Sequence, residues 1–291
     1  MLPEFDLLTL KTLPEALAQL SSAGSDAILV SGGTNVVPDL RSGRHTPKIV
    51  LDISRLKELH GIRREDGHMV AGGGVTIAEL LASPLVAEHG KTLQQAGRLF
   101  ANPMIRNRAT VAGNLVDASP AADTAPALLV LDAEVDLQCQ AACRTVQLNE
   151  FFTGVRKTVR RPDEMLVSVR WPVAKARTAY GYYKLGLRQA DAISVVSIAI
   201  RLEADTSGCC QDVRIALGSV APRPLRALAA EESLRGQPFT ETVFARAGKL
   251  AAEAVSPISD LRASGDYRRR VVGVLVQRLL DQAADELRKA G

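Results

Sequence analysis

A short loop of small and polar residues follows an apolar run near the amino end of the chain. Ala27-Ile-Leu-Val30 is typical of a buried strand, and Ser31-Gly-Gly-Thr-Asn35 comes directly after it. Adjacent glycines permit positive φ and lack the Cβ atoms that would keep a ligand away. Backbone N–H groups and the Thr34 hydroxyl can then converge on an anion such as a pyrophosphate. A plain strand-ending turn would use the same residues and is an equally good interpretation.

A second segment repeats this combination of small, hydroxyl and amide residues. Thr110, Gly113 and Asn114 lie close together, and Ser119 and Asp123 follow within ten residues. Two such loops in one domain can hold a dinucleotide from both sides. The alternative is a pair of structural turns in which Asp123 caps the next helix, as aspartates in such positions commonly do.

Other kinds of chemistry find little support in the sequence. It has no G-x-G-x-x-G after a strand and no G-x-x-x-x-G-K-[ST], so neither a Rossmann nor a P-loop site is indicated. The histidines have no zinc-site spacing and are expected at the surface or in loops: His45, His60, His68 and His89. The cysteines form no C-x-x-C pair and are expected to be reduced: Cys139, Cys143, Cys209 and Cys210. We predict no catalytic side chain and no metal site.

The order of secondary-structure signals predicts two domains of an α+β protein. At 291 residues the chain exceeds the usual size of one domain. Helix and strand signals alternate in the first part, with capping boxes at 12–15 and 76–79 and a longer helix predicted from Ala87 to about Phe100. The segment 171–177 indicates a boundary between a larger domain at 1–175 and a smaller domain at 178–291.

The last third groups its strands before its helices, which predicts helices packed on an antiparallel sheet. The predicted strands are Tyr182 to Leu187, Ile193 to Leu202 and Asp212 to Ser219, and the predicted helices are Leu225 to Leu234, Glu241 to Ala254 and Tyr267 to Lys289. The run Arg268-Arg-Arg270 falls at the start of the last helix and is interpreted as a solvated helix end.

Composition is that of a globular protein with no sign of nucleic-acid binding. The 36 Lys and Arg exceed the 32 Asp and Glu by only four, basic residues are scattered, and aromatic residues make up 4%. The first residues carry no basic segment of the signal-peptide kind, and no apolar run reaches the roughly 20 residues of a membrane span. We expect a cytoplasmic protein.

Several stretches together resemble the FAD-binding medium subunits of the xanthine dehydrogenase and carbon monoxide dehydrogenase family. The matching stretches are Gly32 to Asn35, Ile105 to Asn114, Ala118 to Asp123, Pro162 to Leu166, Tyr182 to Arg188 and Tyr267 to Arg270. They occur in the expected order over nearly the whole chain, which is far more specific than any single motif.

The resemblance implies a vanillyl-alcohol-oxidase (PCMH) type FAD-binding domain, a small α+β domain after it, and FAD held without a covalent bond. The cofactor-binding residues that it implies are Leu29, Val30, Ser31, Gly32, Gly33, Thr34, Asn35, Val36, Phe100, Thr110, Gly113, Asn114, Ser119, Asp123, Leu166 and Lys184. The two loops would hold the diphosphate, and Ser119 and Asp123 the cofactor hydroxyls. Phe100 would cover the flavin, and Leu166 and Lys184 would contact its isoalloxazine end. Alternatively, Phe100 and Leu166 are plain core residues, and Lys184 is a surface lysine.

One position departs from the family pattern, and one missing insertion separates this chain from the members that carry an additional iron–sulfur cluster. Ala112 stands where the family more often has a glycine, which could alter how closely that loop approaches a phosphate. Residues 114–133 contain no cysteine-bearing insertion, so we expect no iron–sulfur cluster on this chain.

The resemblance implies an electron relay. Electrons would arrive from a 2Fe-2S small subunit, the hydroxylation would occur on a molybdopterin large subunit, and FAD on this chain would pass them to an external acceptor. Two alternatives remain: a stand-alone flavin oxidase or reductase, and an interaction module that has lost its cofactor.

Overall fold

The computed structural model describes residues 2–290, and no helix in that range is long and apolar enough to cross a membrane. The strands are β1 (Asp6–Thr9), β2 (Ala27–Val30), β3 (Ile49–Asp52), β4 (Ile62–Glu65), β5 (His68–Gly72), β6 (Glu134–Gln138), β7 (Cys143–Gln147), β8 (Phe152–Gly154), β9 (Lys157–Thr158), β10 (Met165–Pro172), β11 (Thr178–Leu185), β12 (Val196–Ala204), β13 (Cys210–Gly218) and β14 (Leu225–Arg226). The helices are α1 (Leu13–Ala23), α2 (Val36–Arg41), α3 (Ile77–Ala82), α4 (Pro84–His89), α5 (Lys91–Arg98), α6 (Pro103–Arg106), α7 (Val111–Val116), α8 (Thr124–Leu129), α9 (Leu148–Phe151), α10 (Leu228–Leu234), α11 (Glu241–Glu253) and α12 (Gly265–Ala290).

A small parallel sheet carries the first candidate loop. Its strand order is β1-β3-β2, and α1 packs against it through an apolar face. The predicted capping box at the start of α1 is only half formed: the Thr12 hydroxyl accepts the Glu15 N–H, but the Glu15 carboxylate accepts from Lys11 instead of Thr12. Strand β2 ends at Val30, so the glycine loop leaves the sheet at its carboxyl edge.

A five-stranded antiparallel sheet, ordered β4-β5-β10-β6-β7, supports the second candidate loop. Its core includes Trp171, which is fully buried and donates its indole N–H to the His89 carbonyl at 2.8 Å. The predicted helix from Ala87 to Phe100 is wrong in extent. Gly90, at φ −141° and ψ 41°, separates α4 from α5, because its backbone leaves the helical conformation at that point.

The carboxyl part of the chain forms a four-stranded antiparallel sheet, β11-β12-β13-β14, covered on one face by helices. All nine residues of β12 are buried, including those that alternate with its large aliphatic side chains. The second face packs on α5 and α8, where Tyr180, Tyr182, Ala199 and Ala216 join the core of the first part. The fold is therefore α+β, as predicted, with this sheet enclosed between two layers.

Ion pairs join the same sheet to the loop after α8. Asp132 lies 3.0 Å from a guanidinium nitrogen of each of Arg201, Arg214 and Arg226. Three cations around one carboxylate fix the position of the sheet against that loop.

The interpretation of the arginine run as a solvated helix end is wrong for Arg268. Its side chain is 1% exposed, and it donates to the carbonyls of Val195 and Ser219 and to Asp260. The first turns of α12 face the ends of two strands, so this guanidinium satisfies carbonyl groups that the sheet leaves open. Arg269 and Arg270 are exposed, as predicted.

Candidate functional site

The two candidate loops meet across a cavity of about 570 Å3. The sequence-predicted residues that line it are Leu29, Ser31, Gly32, Gly33, Thr34, Asn35, Val36, Phe100, Thr110, Gly113, Asn114 and Leu166. Ligand sites of this size commonly enclose most of a small molecule's surface. The structure thus brings together residues that are separated by more than 130 positions in the chain.

Close backbone contact between the loops requires a glycine. A Cβ atom on Gly32 would overlap the carbonyl oxygen of Arg108. Gly33 has φ +73°, a left-handed conformation that side-chain-bearing residues rarely adopt. The two adjacent glycines therefore serve different purposes: the first lets the loops touch, and the second turns the chain into α2.

The first loop presents free hydrogen-bond donors to the cavity. Among the described residues, no acceptor takes a hydrogen bond from the backbone N–H groups of 32–35. The Thr34 and Asn35 side chains likewise make no hydrogen bond with the part of the chain that the structure covers. A group of N–H donors at a cavity wall suits the oxygens of a diphosphate.

The second loop is shaped by a helix cap. The Thr110 hydroxyl accepts the Gly113 N–H at 3.0 Å, which starts α7. The Asn114 side-chain oxygen accepts from Thr124 at 2.6 Å and so ties α7 to α8. The amide nitrogen of Asn114 makes no bond within residues 2–290 and remains free to donate to a ligand.

Asp123 and Lys184 form a buried ion pair, and neither side chain lines the cavity itself. Lys184 donates to Asp123 Oδ2 at 2.7 Å and to the Leu99 carbonyl at 3.1 Å, next to Phe100. Burial raises the pKa of Asp123 to about 6, although Lys184 acts in the opposite direction. The other carboxylate oxygen, Oδ1, is buried and accepts no hydrogen bond from a described residue. A ligand hydroxyl group would satisfy it.

The helix-cap interpretation of Asp123 is wrong, because its side chain accepts no N–H of α8. Lys184 is likewise not a surface lysine, since its side chain is only 6% exposed. Phe100 and Leu166 are buried and also line the cavity, so they act as core and wall at once.

The remaining predicted residues lie outside the main cavity. Val30 lines a neighbouring recess of about 500 Å3 that shares the first glycine loop. Ser119 accepts the N–H of Ala121 at 3.2 Å and lines neither space.

Sequence reasoning missed a charged group at the cavity rim. Asp39, Asp117, Arg156 and Arg160 line the cavity, and none belongs to the motifs that carried the prediction. The run of glycines at 72–74 could have indicated one more residue of the cavity wall, Gly73. A glycine is needed there because a Cβ would overlap the Leu166 carbonyl.

The expectation that all histidines lie at the surface or in loops fails for one of them. His89 is 9% exposed and ends α4. His45 is exposed but also lines the cavity, 3.8 Å from Asp39.

Comparisons with known proteins cover both parts of the chain. Residues 3–174 match the family described as the FAD binding domain in molybdopterin dehydrogenase. Residues 181–283 match the CO dehydrogenase flavoprotein C-terminal domain.

Individual relatives match over nearly their full length. The chain is 32% identical to the carbon monoxide dehydrogenase medium chain of Hydrogenophaga pseudoflava, over 97% of each chain. It is 30% identical to a putative xanthine dehydrogenase FAD-binding subunit of Escherichia coli, over 94% of this chain and 93% of the relative. The solved carbon monoxide dehydrogenase structure from Hydrogenophaga pseudoflava superimposes with a TM-score of 0.94 at 33% identity, over 99% of both chains.

Proposed function

Since the chain belongs to the FAD-binding medium subunits of the molybdenum hydroxylases, and is thus an FAD-dependent oxidoreductase subunit, we propose that it relays electrons within such a complex. The electrons come from iron–sulfur clusters of a partner subunit and leave to an external acceptor. The observation that carries the proposal is the pair of loops that meet across one cavity, with free N–H donors on one side.

FAD supplies the ability to take up and release electrons singly or in pairs, and the protein must place it and tune it. The N–H groups of 32–35 would hold the diphosphate, and the Asn114 amide would donate to it from the second loop. Phe100 and Leu166 form apolar walls of the cavity and would exclude water from a bound cofactor.

Asp123 and Lys184 act on the cofactor as a pair. Asp123 Oδ1 would accept a cofactor hydroxyl, and Ser119 orders the loop that precedes Asp123. The Lys184 ammonium group lies next to Leu99 and Phe100, where it would favour electron density on a flavin ring that Phe100 covers. The chain divides into an FAD-binding domain at 1–175 and a second domain at 178–291.

The names of the relatives support a multi-subunit assembly. One is a medium chain and the other an FAD-binding subunit, so each is one part of a larger enzyme. We place this chain likewise in a hetero-oligomer with a 2Fe-2S small subunit and a molybdopterin large subunit.

The test is to isolate the complex through a tag on this chain and to follow electrons through it. The tagged chain should release FAD on denaturation. In a complex that carries Gly33→Val, the branched side chain at positive φ should expel FAD. The substrate should still reduce the iron–sulfur clusters of this complex. Reduction of the external acceptor should stop. Undiminished acceptor reduction by the FAD-free complex would contradict the relay.

A further inference from the structure

Arg156 joins the two sides of the cavity. One of its guanidinium nitrogens, Nη1, lies 2.7 Å from Asp117 Oδ1 and 3.4 Å from Asp39 Oδ2. Both carboxylate side chains are 11% exposed, and Arg156 itself is 39% exposed. All three residues line the cavity, so this bridge lies at its rim.

The two aspartates belong to the helices that the nucleotide loops begin. Asp39 lies in α2, which starts directly after the first loop, and Asp117 ends α7, which starts directly after Thr110. A short helix moves as a rigid unit with the loop at its start. The distance between Asp39 and Asp117 therefore reports how far apart the two loops stand.

The backbone holds Arg156 in an unusual conformation to make this bridge. It lies at the turn between β8 and β9 with φ +54°, a position that glycine or asparagine normally fills. Its N–H donates to the carbonyl of Ala118, the residue after Asp117, at 3.0 Å. A left-handed arginine that is fixed at both backbone and side chain indicates a function for the guanidinium.

We propose that Arg156 is a positioning residue that latches the FAD cavity: it holds the two nucleotide loops at their binding separation and slows the release of the cofactor. The proposal rests on the FAD-binding role given above. The Nη2 and Nε groups make no hydrogen bond with any other described residue, so the latch retains donors for the cofactor itself.

The experiment measures FAD release from the purified full-length chain, followed by the rise in flavin fluorescence after dilution. Arg156→Gln should release FAD about tenfold faster or more, because the charged bridge is lost. Arg156→Lys, which keeps the positive charge, should release FAD at a rate close to that of the wild type. The control is Arg63→Gln, which breaks an exposed ion pair to Glu65 away from the cavity and should release FAD at the wild-type rate.

A second measurement separates latching from structural support. The thermal midpoint of the FAD-free chain should be the same for Arg156→Gln and Arg63→Gln, and Asp117→Asn added to Arg156→Gln should not accelerate release further. A release rate within about twofold of wild type would overturn the proposal. So would a fall of several degrees in the midpoint of the FAD-free Arg156→Gln chain. A wild-type chain that holds no FAD would instead refute the proposed function.

Discussion

Single residues in the two loops can be assigned separate physical tasks. Gly32 and Gly33 were predicted from sequence as a pair, because adjacent glycines after an apolar strand favour a ligand loop. Only the structure shows that Gly32 is needed for contact with Arg108 and Gly33 for its positive φ. Asp39 and Arg156 could not be predicted, since their contact joins residues 117 positions apart with no shared motif.

Adding one methyl group at Gly32 should separate the loops. In Gly32→Ala the new Cβ overlaps the Arg108 carbonyl, so the backbone must shift and FAD affinity should fall by about tenfold or more. Titration of the FAD-free chain with FAD measures this. Gly24→Ala is the control for backbone strain alone, because a Cβ on Gly24, at φ +54°, meets no atom within 4 Å and Gly24 does not line the cavity. Equal affinity in both variants would contradict the assignment.

Asp123 should give the FAD-free chain a distinctive pH dependence. Burial raises the pKa of Asp123 to about 6, whereas the unfolded chain releases this proton near pH 4. Between these values the folded state binds more protons, so the free energy of unfolding should fall as pH rises, by up to about 3 kcal/mol. Urea unfolding at several pH values should show this slope in wild type and in the exposed control Asp266→Asn, but not in Asp123→Asn.

At the scale of elements, local signals predicted some boundaries well and others poorly. The capping box at Thr76 and Glu79 forms as predicted, because it depends only on residues within one turn. Strands β4 and β7 were not predicted, because they are largely polar edge strands without an alternating apolar face. The break at Gly90 was not predicted, because Val86, Leu93 and Ala96 on its two sides keep helical spacing across it.

Glu164 should stabilise the segment that leads into β10 and the cavity wall. Its carboxylate accepts from Arg144 at 2.6 Å and from the Arg161 N–H at 2.7 Å, and the Arg144 hydrogen bond is the main cause that lowers the pKa of Glu164 to about 2. Glu164→Gln should reduce the free energy of unfolding by about 1–2 kcal/mol at pH 7, since Arg144 is partly exposed.

The loss of unfolding free energy in the Glu164→Gln chain should depend on pH. The ionised carboxylate stabilises the folded state above pH 4.5, and this contribution is lost as pH falls through about 2. Urea unfolding should therefore show the variant approaching wild type between those values. Glu150→Gln, an exposed glutamate on α9, is the control that should match wild type throughout. A pH-independent deficit would show that the ionised form is not what matters.

At the scale of the whole molecule, one carboxylate joins two parts of the chain. Asp132→Asn keeps a residue that tolerates positive φ but leaves three arginines without their shared anion. The thermal midpoint should fall by several degrees. Asp66→Asn is a close control, because Asp66 is also at positive φ, on an exposed hairpin. Equal midpoints would show that the Asp132 carboxylate contributes nothing to stability.

The general architecture was predictable because ordered motifs run through both parts and the last third groups its strands before its helices. The periodicity of apolar residues could not show that the second face of β12 is buried as well. Its small and polar residues, such as Ala199 and Arg201, are typical of a solvent face, yet they pack between layers. Burial of that kind is set by tertiary contacts and not by local periodicity.

The enclosed sheet affects how the protein folds during its synthesis. The core of the first part is completed by Tyr180, Tyr182, Ala199 and Ala216, which leave the ribosome after its own strands and helices are finished. A nascent chain that has reached only residue 175 thus still exposes apolar surface to chaperones and proteases. Expression of the amino-terminal segment alone should give an aggregation-prone fragment, and adding the rest of the polypeptide in trans should rescue its solubility.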